Sequence, residues 1–253
     1  MIDIHSHILP GIDDGAKSLD IALDMLKKAA DARTTAIIAT PHYYRGRYEV
    51  PYNEVLGYVD TLTTVMRSSG IDLEIYPGQE ILLDRHTVQL FRKGIVRGLN
   101  DSRYVLVELP PDHYQDTFVD FMYELRILGA VPILAHPERY TYIQDDITIL
   151  NDFISEGCLF QINAGSLTGS QGKELEKTAK KLVQNGVCNF IASDAHNISR
   201  RSTGLEEGLE AVRKTDKSVV LEVMENARKV VMDEEIAMNR RIGTKKTMFN
   251  FFW

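Results

Sequence analysis

The sequence predicts an α/β protein whose seven parallel strands close into a single barrel with helices outside. Three observations carry this expectation. Short apolar, β-branched runs alternate with segments of helical period along most of the chain. The connections between them are short, and no Gly/Pro-rich linker or shift in composition divides the 253 residues. An open, doubly wound sheet is the architectural alternative.

The strands fall at residues 2–7, 36–40, 73–77, 104–109, 131–135, 159–163 and 188–192, mostly continuous apolar runs of the kind buried on both faces. After the first, Ser18 is placed to cap a helix with one apolar stripe of Ile21, Ala22, Met25, Leu26 and Ala29. Further helical patterns cover residues 53–69, 117–128, 147–156 and 172–185, and residues 84–100 read as an inserted helix and turn. Residues 1–240 form one predicted domain. Residues 241–253 form a tail, basic and then aromatic with Phe249, Phe251, Phe252 and Trp253. It is expected to tuck against a helix or a neighbouring subunit; docking to a membrane surface or a membrane-bound kinase is the alternative.

A net charge of −7 argues against a nucleic-acid-binding face. An anionic substrate would therefore need local positive charge, from metals or arginines. Cys158 and Cys188 cannot make a disulfide framework and suit a reducing compartment. The start of the chain shows no signal-peptide pattern, and no apolar run approaches the roughly 20 residues that span a bilayer. The expected location is the cytoplasm.

In α/β barrels the carboxyl ends of the strands form the functional face. His5-Ser6-His7 end the first strand, Pro41-His42 follow the second, and Gly78-Gln79-Glu80 follow the third. Glu108 lies in the fourth, His136 follows the fifth, and Asp194 and His196 follow the seventh; the sixth, with Gln161 and Asn163, offers no such ligand. His5 and His7, two apart in a strand, point the same way and can grip one cation. Alone, an HxH pair, Glu108 or His42 would read as ordinary polar residues. Together they do not, because burying acids and imidazoles side by side without cations carries a heavy desolvation and repulsion cost. The clustering therefore predicts divalent metals. Asp13 and Asp14, in PGIDDGA, suit a solvated turn by themselves and become candidate ligands because their loop borders the same mouth.

IDIHSHILPGIDDGA, ATPHY, PGQE, HPERY and SDAHN, in that order, resemble the motifs of the PHP superfamily. Within it they resemble the bacterial manganese-dependent protein-tyrosine phosphatases of capsule and exopolysaccharide operons, from residue 1 to about 226. The resemblance implies a distorted (β/α)7 barrel holding three divalent metal ions, manganese first, with iron, zinc or magnesium as alternatives. By position, one ion takes His5, His7, Glu80 and Asp194. A second shares Glu80 and adds Glu108 and His136. The third takes Asp14, His42 and His196, with Asp13 the rival of Asp14. Arg139 and Arg201 are assigned to the phosphate, where a guanidinium fork matches two oxygens, and Arg200 competes for the second role. Arg45 and Arg47 read as substrate rim or plain exposed loop. Ser6, where relatives often carry Cys, is expected to point away from the metals.

The expected reaction is one-step hydrolysis by metal-activated water, with His42 and His136 as candidates to assist. A tyrosyl leaving group of pKa near ~10 needs less protonation than an alkyl alcohol. A cysteine mechanism fails on spacing: a Cys-x5-Arg loop needs arginine six residues on, where Ala164 follows Cys158 and Asp194 follows Cys188. By resemblance, the substrate is the phosphotyrosine-containing C-terminal tail of a bacterial tyrosine kinase that controls polysaccharide export. The rival readings are a small-molecule phosphatase, such as histidinol-phosphate phosphatase, and a non-catalytic metal-binding regulatory module. The oligomeric state is left open.

Overall fold

A computed structural model describes residues 1–214, 216–238 and 242. The chain runs through β1 (Ile2–Ser6), α1 (Leu19–Asp31), β2 (Ala36–Ala39), β3 (His42–Tyr44), β4 (Tyr48–Glu49), α2 (Tyr52–Ser68), β5 (Glu74–Pro77), β6 (Glu80–Leu82) and α3 (Thr87–Arg92). It continues through β7 (Tyr104–Glu108), α4 (Thr117–Ile127), β8 (Val131–Ala135), α5 (Thr141–Asp145), α6 (Leu150–Ser155), β9 (Leu159–Asn163), α7 (Ala164–Leu167), α8 (Lys173–Gln184), β10 (Phe190–Ala192), α9 (Leu205–Arg213) and α10 (Lys217–Met232). All seven predicted strands are present. Ser18 caps α1 as predicted, its hydroxyl accepting from Ile21 N–H, and Ala22, Met25, Leu26 and Ala29 are buried. The predicted inserted segment holds α3 and a short 3-10 turn at Leu99–Asp101.

The hydrogen-bonded strands form two sheets rather than one closed sheet, with orders β1-β2-β5 and β10-β9-β8-β7-β6-β3-β4. Every pairing is parallel except the β3–β4 hairpin. From β6 to β10 neighbours follow chain order, without the reversal that defines a doubly wound sheet, and β3–β4 is a hairpin at the edge. The division arises because two runs each change sheets partway. Past Ala39, Pro41 has no N–H to give a ladder, so β2 stops and the chain re-pairs as β3 against β6. Past Pro77, Gly78 allows a close approach: a Cβ there would lie 2.8 Å from Ile38 Cγ2 and 2.9 Å from Leu99 Cδ2. The two sheets meet where Ser6 bridges Ala195, with Asp194 N–H donating to His5 C=O at 2.9 Å and His7 N–H to Ala195 C=O at 2.8 Å.

Helices α1 and α2 cover the smaller sheet through Met25, Leu26, Val55, Leu62 and Met66 against Ile37 and Ile75. A central cluster of Ile4, Ile38, Leu106, Ile133, Leu159 and Phe190 draws one residue from each of six strands. Beyond this apolar layer the same strands end in polar side chains. Leu106 and Glu108 share a face of β7, and Leu159, Gln161 and Asn163 share a face of β9. Among the described residues no helix is long and apolar enough to cross a membrane. Of the predicted tail, residues 241–253, only Ile242 is among the described residues; it is buried and exchanges hydrogen bonds with the Asn151 side chain, and the aromatic residues lie outside the described residues.

Candidate active site

The end of β1, the start of β6 and the turn after β10 bring one donor set together. His5 Nε2 lies 3.2 Å from His7 Nε2, 3.2 Å from Glu80 Oε2 and 3.4 Å from Asp194 Oδ1, and His7 Nε2 lies 3.2 and 3.5 Å from the same two oxygens. All four side chains are fully buried. The five separations, all 3.2–3.5 Å, bring the four donor atoms close enough to share one cation. Glu80 Oε2 and Asp194 Oδ1 are buried and accept no hydrogen bond. Two acceptors without donors, facing two imidazole nitrogens, have the chemistry of a cation site.

A second group adjoins it. His7, Asp14, His42 and His196 bring donor atoms within 4.8 Å of one another, with Asp14 Oδ1 3.3 Å from His42 Nε2 and 3.4 Å from His196 Nε2. The structure separates the two candidate aspartates. Asp13 faces away from these donors, with its Oδ2 2.8 Å from His7 Nδ1 and accepting from His42 N–H, while its Oδ1 accepts from Gly15 N–H. Asp13 thereby fixes the His7 ring, as carboxylates do behind metal-ligating histidines. Gly15 is required at this turn, because a Cβ would sit 2.2 Å from the His7 carbonyl oxygen.

The third group departs from the expected set. Glu80 and Glu108 gather with His42, whose Nδ1 lies 3.1 and 3.2 Å from their oxygens. His136 instead meets the other Glu80 oxygen, Nε2 to Oε1 at 2.8 Å. The reason is geometric: the two oxygens of Glu80 face opposite ways, one into the first group and His42, the other toward the end of β8. His136 and Asp194 each follow a strand with a left-handed backbone, φ 34° and 51°, a strained turn that aims the side chain into the mouth. Ser6, between His5 and His7, is buried and its N–H donates to Thr40 Oγ1 at 2.9 Å.

Electrostatics points the same way. Burial disfavours charge on His5, but Glu80 and Asp194 outweigh it and raise its pKa. His7 is pushed up to about 10, against its burial, by Asp13, and Asp13 falls to about 2 as its burial is overcome by His7. Glu80 and Asp194 lie well below the carboxylate range despite burial. His196 falls to about 4, through burial and the neighbouring His7. The carboxylates thus draw positive charge into a buried space too crowded for every imidazole to carry it.

The two arginines expected at the phosphate, Arg139 and Arg201, both border this cluster. Arg139 Nη1 and Arg201 Nη2 donate to the same oxygen, Asp194 Oδ2, at 3.0 and 2.6 Å. Arg200 is exposed and lines a cleft beside them with Asn197 and Gln171. Arg45 is paired with Asp84 at 3.2 Å, and Arg47 stacks over the Tyr48 ring at 4.8 Å.

The sequence matches the family described as "Capsular polysaccharide synthesis, CpsB/CapC" over residues 1–232. The chain belongs to the CpsB/CapC family. It is 34% identical to the tyrosine-protein phosphatase YwqE of Bacillus subtilis (strain 168) over 254 residues, 100% of both chains. It is 28% identical to the tyrosine-protein phosphatase CpsB of Streptococcus pneumoniae over 243 residues, 93% of this chain and 100% of that one. A solved structure from the pair YwqE and CpsB, described as "unique metal-dependent tyrosine phosphatases", aligns with a TM-score of 0.92 at 34% identity, covering 96% of this chain and 98% of that one.

This CpsB/CapC chain also carries site-building residues that the sequence did not single out. Tyr140 OH donates to Ala135 C=O at 2.8 Å and accepts from Leu109 N–H at 3.0 Å, tying together the ends of β8 and β7 beside His136. Glu138, fully buried, accepts from Asn163 N–H at 2.9 Å and anchors the turn after His136 to β9. HPERY contains both residues, but their contacts are tertiary and leave no periodic signal. An open groove of about 400 Å³ adjoins Asp14, His42 and Glu108, walled by Tyr44, Tyr48, Leu82, Pro110 and Pro111.

Proposed function

We propose that this chain is a metal-dependent protein-tyrosine phosphatase of capsule or exopolysaccharide synthesis, hydrolysing phosphotyrosine on the tail of a cognate bacterial tyrosine kinase. One observation carries the reading. Three overlapping donor groups, with buried acceptors that have no hydrogen-bond donor, lie beside two arginines in a chain related over its full length to proteins named tyrosine-protein phosphatases. In this reading residues 1–240 are one domain, a distorted (β/α)7 barrel whose two sheets close at the Ser6–Ala195 bridge. His5, His7, Glu80 and Asp194 would hold one cation; Glu80, Glu108 and His42 would hold a second, with His136 on the other oxygen of Glu80; Asp14, His42 and His196 would hold a third. Manganese is the first choice, with iron, zinc or magnesium as alternatives. The protein works in the cytoplasm, where the kinase tail lies.

When bound, the cations supply Lewis acidity that activates a water and neutralises phosphate charge. The residues do the rest. Arg139 and Arg201 turn their guanidinium groups from Asp194 to the phosphoryl oxygens and stabilise the charge that builds there. His42 and His136, on either side of Glu80, set where the phosphate meets the cluster. The tyrosyl ring leaves toward the groove of Tyr44, Tyr48 and Pro110. Tyrosinate, with a pKa near ~10, departs with little protonation.

Phosphate release from a phosphotyrosine peptide and from histidinol phosphate, each with Mn2+ and with chelator, tests the assignment. Chelator-sensitive release from the peptide, and little from histidinol phosphate, is expected. Preference for histidinol phosphate would replace the substrate, and no release from either would remove the proposed function.

A further inference from the structure

Resting on the metal-centre reading above, we propose that the ligand-free sixth strand position, β9, sets the ring tautomer of His5 through a two-amide relay, Asp194–Asn163–Gln161–His5. Gln161 and Asn163 would thereby be positioning residues for the cation held by His5, His7, Glu80 and Asp194. Both amides are fully buried and share one face of β9. Asn163 Nδ2 donates to Asp194 Oδ2 at 2.8 Å, Gln161 Nε2 donates to Asn163 Oδ1 at 2.8 Å, and Gln161 Oε1 lies 2.8 Å from His5 Nδ1.

The direction of the chain is fixed from one end. Asp194 Oδ2 also receives Arg139 and Arg201, so it is a carboxylate and can only accept. Asn163 must then turn its NH2 toward it, and its carbonyl toward Gln161. Gln161 must answer with its own NH2, and its carbonyl faces His5. His5 Nδ1 is left no role but donor. Its Nε2 keeps a lone pair, aimed at the space shared with Glu80 Oε2 and Asp194 Oδ1. Reversing either amide would set two acceptors against each other, in a buried site where the cost is about 1–3 kcal/mol for each unsatisfied group. The relay therefore joins two ligands of one cation, leaving one Asp194 oxygen for donors and the other for metal. His7 reaches the same tautomer by a shorter route, through the Asp13 carboxylate.

The test titrates Mn2+ alone into the full chain, following the free-ion paramagnetic resonance signal, for the wild type and Gln161→Leu. Gln161→Leu keeps the volume and removes the acceptor; it is expected to weaken one class of Mn2+ site by about 10–100-fold, the usual effect of losing such a partner. A nitrogen–proton correlation spectrum of the zinc-loaded wild type gives a readout that a purely space-filling role would not move: His5 must carry a slowly exchanging proton on Nδ1, absent in Gln161→Leu. An unchanged Mn2+ isotherm in folded Gln161→Leu would overturn the relay, as would a His5 proton on Nε2. Absence of Mn2+ binding in the wild type would overturn the metal centre and the relay together.

Discussion

The two ends of the same strands are built on opposite principles. In the middle of the molecule Ile4, Ile38, Leu106, Ile133, Leu159 and Phe190 are buried at 0–1% exposure and pack into one apolar cluster. One or a few residues further on, His5, Glu80, Gln161, Asn163 and Asp194 are buried just as completely, at 0%. The apolar layer is stable by itself, because burying each large aliphatic side chain contributes about 1.5–3 kcal/mol. The polar layer is not. It holds acceptors without donors and imidazoles pushed toward charge by their neighbours. Burial there makes sense only with a multivalent cation inside, so equal exposure in the two layers reflects folding in one and function in the other.

The largest predicted effect falls on the polar layer alone. Chelation or His136→Ala is expected to reduce phosphotyrosine-peptide hydrolysis on the order of 10³-fold or more, while circular dichroism shows the fold intact. Collapse of the fold on chelation would break the distinction between layers. Next, Arg139→Ala and Arg201→Ala should each lower kcat/KM by about 10²–10³-fold without changing metal content, measured by elemental analysis. The converse perturbation is Ile133→Ala, expected to lose about 2–5 kcal/mol of stability in urea with kcat of the folded fraction little changed.

A subtler effect concerns Asp13 and His7 in the metal-free chain. Asp13 is depressed from 3.8 to about 2 and His7 raised from 6.5 to about 10, in each case because partner charge overcomes burial. The Asp13 contribution is present above 3.8 and fades as pH falls toward 2; the His7 contribution is present below 6.5 and fades as pH rises toward 10. Urea midpoints of the metal-free protein should therefore carry a stabilising term that is full between those inner values, and Asp13→Asn should flatten it. The smallest effect belongs to the thiols. Cys158 and Cys188 are buried and their pKa is pushed well up by that burial, so Cys158→Ala should leave kcat/KM unchanged within about twofold, as befits an inert core thiol.

How much of this could be read from sequence follows the same division. The apolar strands announced themselves, since continuous β-branched runs bounded by turns need no partner to be recognised. The clustered ligands were legible because His5, His42, Glu108, His136 and Asp194 recur at strand ends. The change of sheets at Pro41 and Gly78 was not, because it depends on which neighbour each half-strand finds. Helix α10 was also missed: VVLEVMENARKVV is apolar on too many sides to show one stripe. In α9 the period is interrupted by Gly208, where a Cβ would lie 2.5 Å from that of Ala164. The preference for Asp14 over Asp13 rested on the motif resemblance alone, since nothing in the two residues themselves separates them. Adjacent and chemically identical, they differ only in which histidine each one faces.

The most direct measurement of the polar layer's purpose is anomalous X-ray diffraction from crystals grown with Mn2+. Three anomalous peaks are predicted, one among His5, His7, Glu80 and Asp194, one beside Glu80 and Glu108, and one among Asp14, His42 and His196. A Mn2+-saturated crystal with no peak among His5, His7, Glu80 and Asp194 would contradict the cation-centred reading of this mouth.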